Sequence, residues 1–110
     1  MASSQEYAAY IMEQLAGLQG VSFRKMMGEY ILCYQGKVFG GIYDDRLLVK
    51  DIKASQALLP QGKKVLPYPG AKAMFLVEEV DDKAFLAHLI QTMAQELPEP
   101  KPKKQKKKTI

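Results

Sequence analysis

The chain has 110 residues, 47% hydrophobic and 25% charged, with a net charge of +4. That size suits one small domain, and no apolar run approaches the roughly 20 residues of a membrane-spanning helix. Six lysines against Glu99 give residues 98–110 a charge of +5, which leaves −1 on residues 1–97. The body is therefore near neutral, and only the tail offers polyanions a basic segment. Cys33 is the only cysteine, which excludes an internal disulfide. The first residues lack a basic segment leading into an apolar stretch, so no secretory signal is expected. A cytoplasmic protein is the plain expectation, with a domain over residues 1–97 and a disordered lysine-rich tail over 98–110.

In chain order, Ser3 and Glu6 have capping-box spacing, and Tyr7, Ile11, Leu15 and Leu18 recur at helical intervals. This predicts a helix over about residues 4–18, stopped by Gly17 or Gly20. Residues 30–34, 37–43 and 46–50 are short, apolar and rich in strand formers, with Gln35–Gly36 and Asp44–Asp45 between them. Two-residue links of this kind predict a three-strand antiparallel meander. Gly40 and Gly41 inside the middle strand point to a bulge or the close approach of a packed helix. Residues 51–59 predict a short helix ended by Pro60, and 61–72 a loop with a short strand at 64–68. In the strand over 73–78, Met74 and Leu76 point one way and Phe75 and Val77 the other. Asp81–Asp82 cap a last helix with a wide apolar face of Phe85, Leu86, Leu89, Ile90 and Met93, ended by Pro98 and Pro100.

The order α-β-β-β-α-β-β-α implies a two-layer α+β domain, with an antiparallel sheet of about five strands packed against helices. Leu15, Phe39, Phe75 and Leu89 are expected where the layers meet. Residues 30–34 are apolar on both faces, with Tyr30, Leu32 and Tyr34 on one and Ile31 and Cys33 on the other. The helices take one face, and a second copy of the chain is expected on the other, as a homodimer through the sheet.

No residue set calls for catalysis, a cofactor or a metal, and the chain reads as a non-enzyme. Cys33 sits mid-strand, where a small thiol is ordinary core material. His88 is the only histidine and has no companion ligands at metal-site spacing. Asp44–Asp45, Glu78–Glu79 and Asp81–Asp82 fall at a turn and at a strand-to-helix junction, where carboxylates serve the local backbone. Gly36, Gly40 and Gly41 lie in and between strands, not before a helix as in a phosphate loop. Arg24, Lys25 and Lys37 interleave with Tyr30, Tyr34, Phe39 and Tyr43 as a basic-aromatic surface would, but those aromatics alternate as core residues do.

Three runs carry a resemblance: Arg24–Lys25–Met26–Met27–Gly28, then Tyr34–Gln35–Gly36–Lys37–Val38–Phe39, then Asp44–Asp45–Arg46–Leu47 with Lys50. Together they resemble the N-terminal domain of the TfoX/Sxy competence regulators, whose pattern is roughly R-K-M-F-G-G, a strand, D-G-x-x-F, and D-D-x-L-Y-L-K. The likeness covers about residues 7–97. Met27 and Glu29 stand where the family has phenylalanine and a second glycine. Arg24, Lys25, Met26, Gly28, Gly36, Phe39, Asp44, Asp45, Leu47 and Lys50 are the motif positions, expected to be structural. The resemblance implies a small α+β domain similar to secretion chaperones. It implies regulation of DNA-uptake genes through protein contacts with the transcription machinery, without cofactor or catalytic residues. Well-known members add a helical C-terminal domain; this chain reads as a stand-alone N-domain.

The alternative is a module that binds nucleic acid nonspecifically through Lys101, Lys103, Lys104, Lys106, Lys107 and Lys108. On that reading the full chain binds unrelated duplexes equally, with a log–log salt slope of about −3 to −5. Fluorescence anisotropy at several salt concentrations checks it. Equal affinity for a protein cut after Leu97 would remove the tail as the binding element.

Overall fold

Tight turns organise the first half of the molecule. The computed structural model describes residues 4–98. Helix α1 (Gln5–Gln14) is followed by strands β1 (Val21–Met26), β2 (Glu29–Tyr34), β3 (Lys37–Ile42) and β4 (Leu47–Val49). Helix α2 (Lys53–Leu58), strands β5 (Lys64–Val65) and β6 (Met74–Leu76) and helix α3 (Lys83–Glu96) complete the described residues. The strands form one antiparallel sheet in the order β1-β2-β3-β4-β6-β5.

The α+β architecture is as the sequence predicts, with six strands rather than about five. The added strand is β1, in a stretch to which the sequence reading assigns no element. Its link to β2 is the pair Met27 (φ 54°) and Gly28 (φ 86°). Gln35 (φ 53°) and Gly36 (φ 83°) join β2 to β3, and Asp44 (φ 56°) and Asp45 (φ 55°) join β3 to β4. All three links hold both residues in the left-handed region, whose backbone twist matches that of the flanking strands. Glycine at the second position lowers the cost in two of them. In the third, aspartate is among the side chains that tolerate this conformation best.

The first helix is shorter than its apolar spacing suggests. It ends at Gln14, and Leu15 to Leu18 continue as turns, with the Leu18 amide donating to the Leu15 carbonyl at 3.0 Å. Leu15 and Leu18 are nonetheless buried, so the apolar period reports burial past the point where helical bonding stops. Ser4 is the N-cap, its Oγ accepting from the Tyr7 amide at 3.1 Å, in place of the expected Ser3. Ser3 lies outside the described residues.

The core lies between the sheet and the helices. Tyr30, Leu32, Tyr34, Phe39, Ile42, Leu47, Val49, Phe75 and Val77 meet Ile11, Leu15, Leu86, Leu89, Ile90 and Met93 there. The four residues expected at this interface are all buried. Polar contacts pin the helices. The Ser4 amide donates to Asp45 Oδ1 at 2.8 Å, and Tyr10 donates its hydroxyl to Asp81. Glu96 accepts from the Lys53 and Ala54 amides at 3.1 and 2.9 Å, capping α2 with the end of α3. Buried Ser55 donates to the Lys50 carbonyl at 2.6 Å and accepts from the Ile52 amide at 2.9 Å.

Gly40 and Gly41 answer a constraint different from helix packing. The β2–β3 register shifts between Leu32 and Cys33, so the bulge is present, opposite Phe39. The close approach comes from neighbouring strands. A Cβ on Gly40 would sit 2.1 Å from the Leu48 carbonyl oxygen, and one on Gly41 would sit 2.5 Å from that of Tyr30. Gly40→Ala is therefore expected to cost on the order of 3 kcal/mol, because backbone cannot retreat as a side chain does. Gly17→Ala, with nothing within 4 Å of the added carbon, should stay within about 1 kcal/mol of the parent in urea titrations.

Candidate protein-contact site

The β1 strand stands outside the helix layer. Val21 is half-buried and the next five residues are exposed. Its inner edge pairs with β2 along its whole length, from Val21 opposite Tyr34 to Met26 opposite Glu29. Among the described residues, no strand lies beside its outer edge. The register decides which backbone groups are free. A two-residue turn closes on a hydrogen-bonded pair, here Met26 and Glu29, and such pairs then alternate. The same parity reaches Gly20, whose carbonyl accepts from the Gln35 amide at 2.8 Å. Ser22, Arg24 and Met26 thus turn their amides and carbonyls toward β2, while Val21, Phe23 and Lys25 turn theirs outward.

The side chains divide by face. Phe23 and Lys25 lie opposite Leu32 and Tyr30 on the helix side. The Phe23 ring meets Tyr30 edge-on at 5.5 Å, and Lys25 Nζ stands 6.0 Å from the same ring centre. Arg24 and Met26 lie on the other face, opposite Ile31 and Glu29. Phe23 is 48% exposed, Met26 47% and Met27 95%. Neither Arg24 nor Lys25 takes part in a salt bridge among the described residues. The result is exposed apolar side chains on both faces of the strand, with two cations that form no ion pair among the described residues.

Other parts of the molecule show less. On the face away from the helices, a groove of about 690 Å³ runs between the sheet and residues 66–74, lined in part by Val38, Tyr43, Lys50, Lys64, Tyr68 and Met74. Lys64 is held by Asp51 at 2.9 Å. The Gln56 amide, which donates to the same carboxylate, and that contact hold the Asp51 carboxyl below its ordinary range. Burial, then the neighbouring Tyr68 and Glu29, pushes the Tyr43 hydroxyl up. Tyr7 is raised chiefly by burial, and Tyr10 chiefly by its hydrogen bond to Asp81.

The motif positions separate by role. Gly28, Gly36, Asp44 and Asp45 hold the turns; Phe39 and Leu47 are buried. Arg24, Lys25 and Met26 lie on open β1, and Lys50 is exposed just past β4. Cys33 is half-buried on β2, and His88 is exposed on α3. Asp82 caps α3, accepting from the Phe85 amide at 3.0 Å. The carboxylates do not gather: no group of three or more metal-ligating side chains occurs among the described residues. The six tail lysines lie outside them. The sequence gives no reason to single out Phe23, and Met27 stands out there only as a departure from the family pattern. Met27–Gly28 repeats the two-residue pattern of Gln35–Gly36, and that repeat is the signal for a preceding strand.

The sequence matches a known family. The model of the TfoX N-terminal domain matches residues 13–95. The chain belongs to the TfoX N-terminal domain family. It is also 36% identical to an uncharacterized 12.7 kDa protein in the trpE 5′ region of Spirochaeta aurantia, over 99% of this chain and 96% of that protein. No solved structure is a significant match. In this TfoX domain, residues 21–28, which form β1 and its turn, lie inside the matched region. No helix of the described residues is long and apolar enough to cross a membrane.

The tyrosines give a direct check of this electrostatic picture. A hydroxyl pKa raised by folding adds stability that is present below its unfolded value of about 10 and is lost as pH rises through the folded value. An ultraviolet titration of the native protein should show phenolates forming late. Tyr43→Phe, Tyr7→Phe and Tyr10→Phe should each remove one component titrating above 10.0, the ordinary tyrosine value.

Proposed function

We propose that this chain is a non-enzymatic regulatory or adaptor domain that acts in the cytoplasm through protein contacts, in the control of DNA-uptake genes. Membership of the TfoX N-terminal domain family supports the regulatory context. The observation that carries the contact reading is the exposure of Met26 and Met27, at 47% and 95%, beside the free edge of β1. Unbranched, polarizable methionine suits a surface that adapts to a partner, and exposed apolar groups clustered in this way mark contacts. The transcription machinery is the partner this context favours.

The test uses the native host. Deleting the gene should lower transcripts of the DNA-uptake genes, and the wild-type gene should restore them. The double variant Met26→Ser, Met27→Ser should fold, since neither side chain is in the core, yet fail to restore transcription. Circular dichroism melting of the purified variant checks the first point. Transcripts that ignore the deletion would remove the regulatory reading, and full rescue by the variant would remove this surface from it.

A further inference from the structure

We infer that β1 is a strand-addition site for an extended partner segment carrying carboxylates opposite Arg24 and Lys25 and apolar side chains opposite Phe23 and Met26. This rests on the protein-contact reading and gives the partner a chemistry.

The backbone supplies the first argument. Val21, Phe23 and Lys25 present their amides and carbonyls outward, at the spacing an antiparallel strand needs. The edge is six residues long and contains no proline. The bulge in the sheet falls between β2 and β3, not on this edge. Its opposite number, β5, has two residues, which is one common way of blunting an edge. β1 has no such shortening.

Charge selects the occupant. Arg24 and Lys25 project to opposite faces of the sheet, so one segment with adjacent carboxylates reaches both. A second copy of β1 is the poorer match. With Phe23 opposite Phe23, the two copies would bring two arginines and two lysines onto one short seam without a carboxylate. The exposed lysine and arginine thus oppose self-pairing while favouring an acidic strand. Phe23, already edge-on to Tyr30, offers an anchor on the helix side, and Met26 one on the other.

The experiment uses the full chain labelled with nitrogen-15 and two capped peptides. One is Val-Glu-Glu-Ile-Thr-Val, written to lie antiparallel to β1; the other has lysine for both glutamates. With the acidic peptide, the amides of Val21, Phe23 and Lys25 should shift and exchange more slowly. Those of Ser22, Arg24 and Met26, already bonded to β2, should keep their exchange rates. The lysine peptide should bind about tenfold more weakly or worse, and the double variant Arg24→Glu, Lys25→Glu should reverse the preference. Lys25→Pro removes an outward amide without a bond to β2, so it should abolish binding with the remaining spectrum intact. Three results overturn the inference: equal binding of both peptides, shifts confined to the groove beside Tyr43, or concentration-dependent protection of the same amides without peptide, which would mean self-pairing. If the Met26 and Met27 variant fails in the host while the peptides leave β1 untouched, the contact reading stands without strand addition. If the acidic peptide adds to β1 while transcripts ignore the deletion, the edge is real and the regulatory role is not.

Discussion

Three consecutive two-residue turns with both residues at positive φ fix the register of β1 to β4, and the rest of the structure depends on that register. Side chains in a strand alternate with period two, so a slip of one residue would exchange the two faces. Here the register sends Tyr30, Leu32 and Tyr34 to the helices and leaves Ile31 and Cys33 half-buried on the other side. The β2–β3 bulge then admits the extra residue Phe39 and turns it into the core. Gly40 follows because the chain of β4 passes where a side chain would stand. The turn between β3 and β4 also anchors the first helix. Asp45 receives the Ser4 amide at 2.8 Å, so the start of α1 is set against the sheet by the residue that sets the register.

Several carboxylates serve the helix ends and hydroxyl donors around them. Asp45 and Asp82 satisfy amides at α1 and α3, Glu96 satisfies two at α2, and Asp81 accepts from Tyr10. Each closes a backbone or hydroxyl donor that would otherwise need water. Glu96 ties the last helix to the short second one, which with its six residues has little intrinsic tendency to form.

Much of this was legible in the residues. Gln35–Gly36 and Asp44–Asp45 announce their hairpins, and the alternation at Met74 to Val77 gives the faces of β6 and its flank. The apolar spacing of Phe85 to Met93 gives the buried side of α3. Two features were harder to see for physical reasons. The apolar period of α1 continues through Leu15 and Leu18 because burial, not helical bonding, maintains it. β1 carries almost no burial pattern, since both its faces are open, and periodicity detects strands only through what they bury. The glycines of β3 announce a close approach, but a missing side chain does not say whether helix or strand comes near. The candidate contact site was hard to read for the same reason as β1: exposed Phe23 and Met27 follow no period, and only the pairing scheme places them beside an open strand edge.

That the open edge belongs to β1 follows from the strand beside it. β2 is apolar on both faces and would be a hazardous edge, offering Tyr30, Leu32 and Tyr34 together with unpaired amides. β1 covers that edge with six residues and flanks Tyr30 with the Phe23 ring and the Lys25 ammonium. In doing so it becomes the edge itself, now bordered by arginine and lysine. The charges that would oppose pairing of identical edges are those an acidic segment would neutralise. On the strand-addition proposal, protection against self-association and selection of a partner would both rest on one pair of side chains, Arg24 and Lys25, which lie on opposite faces of the strand.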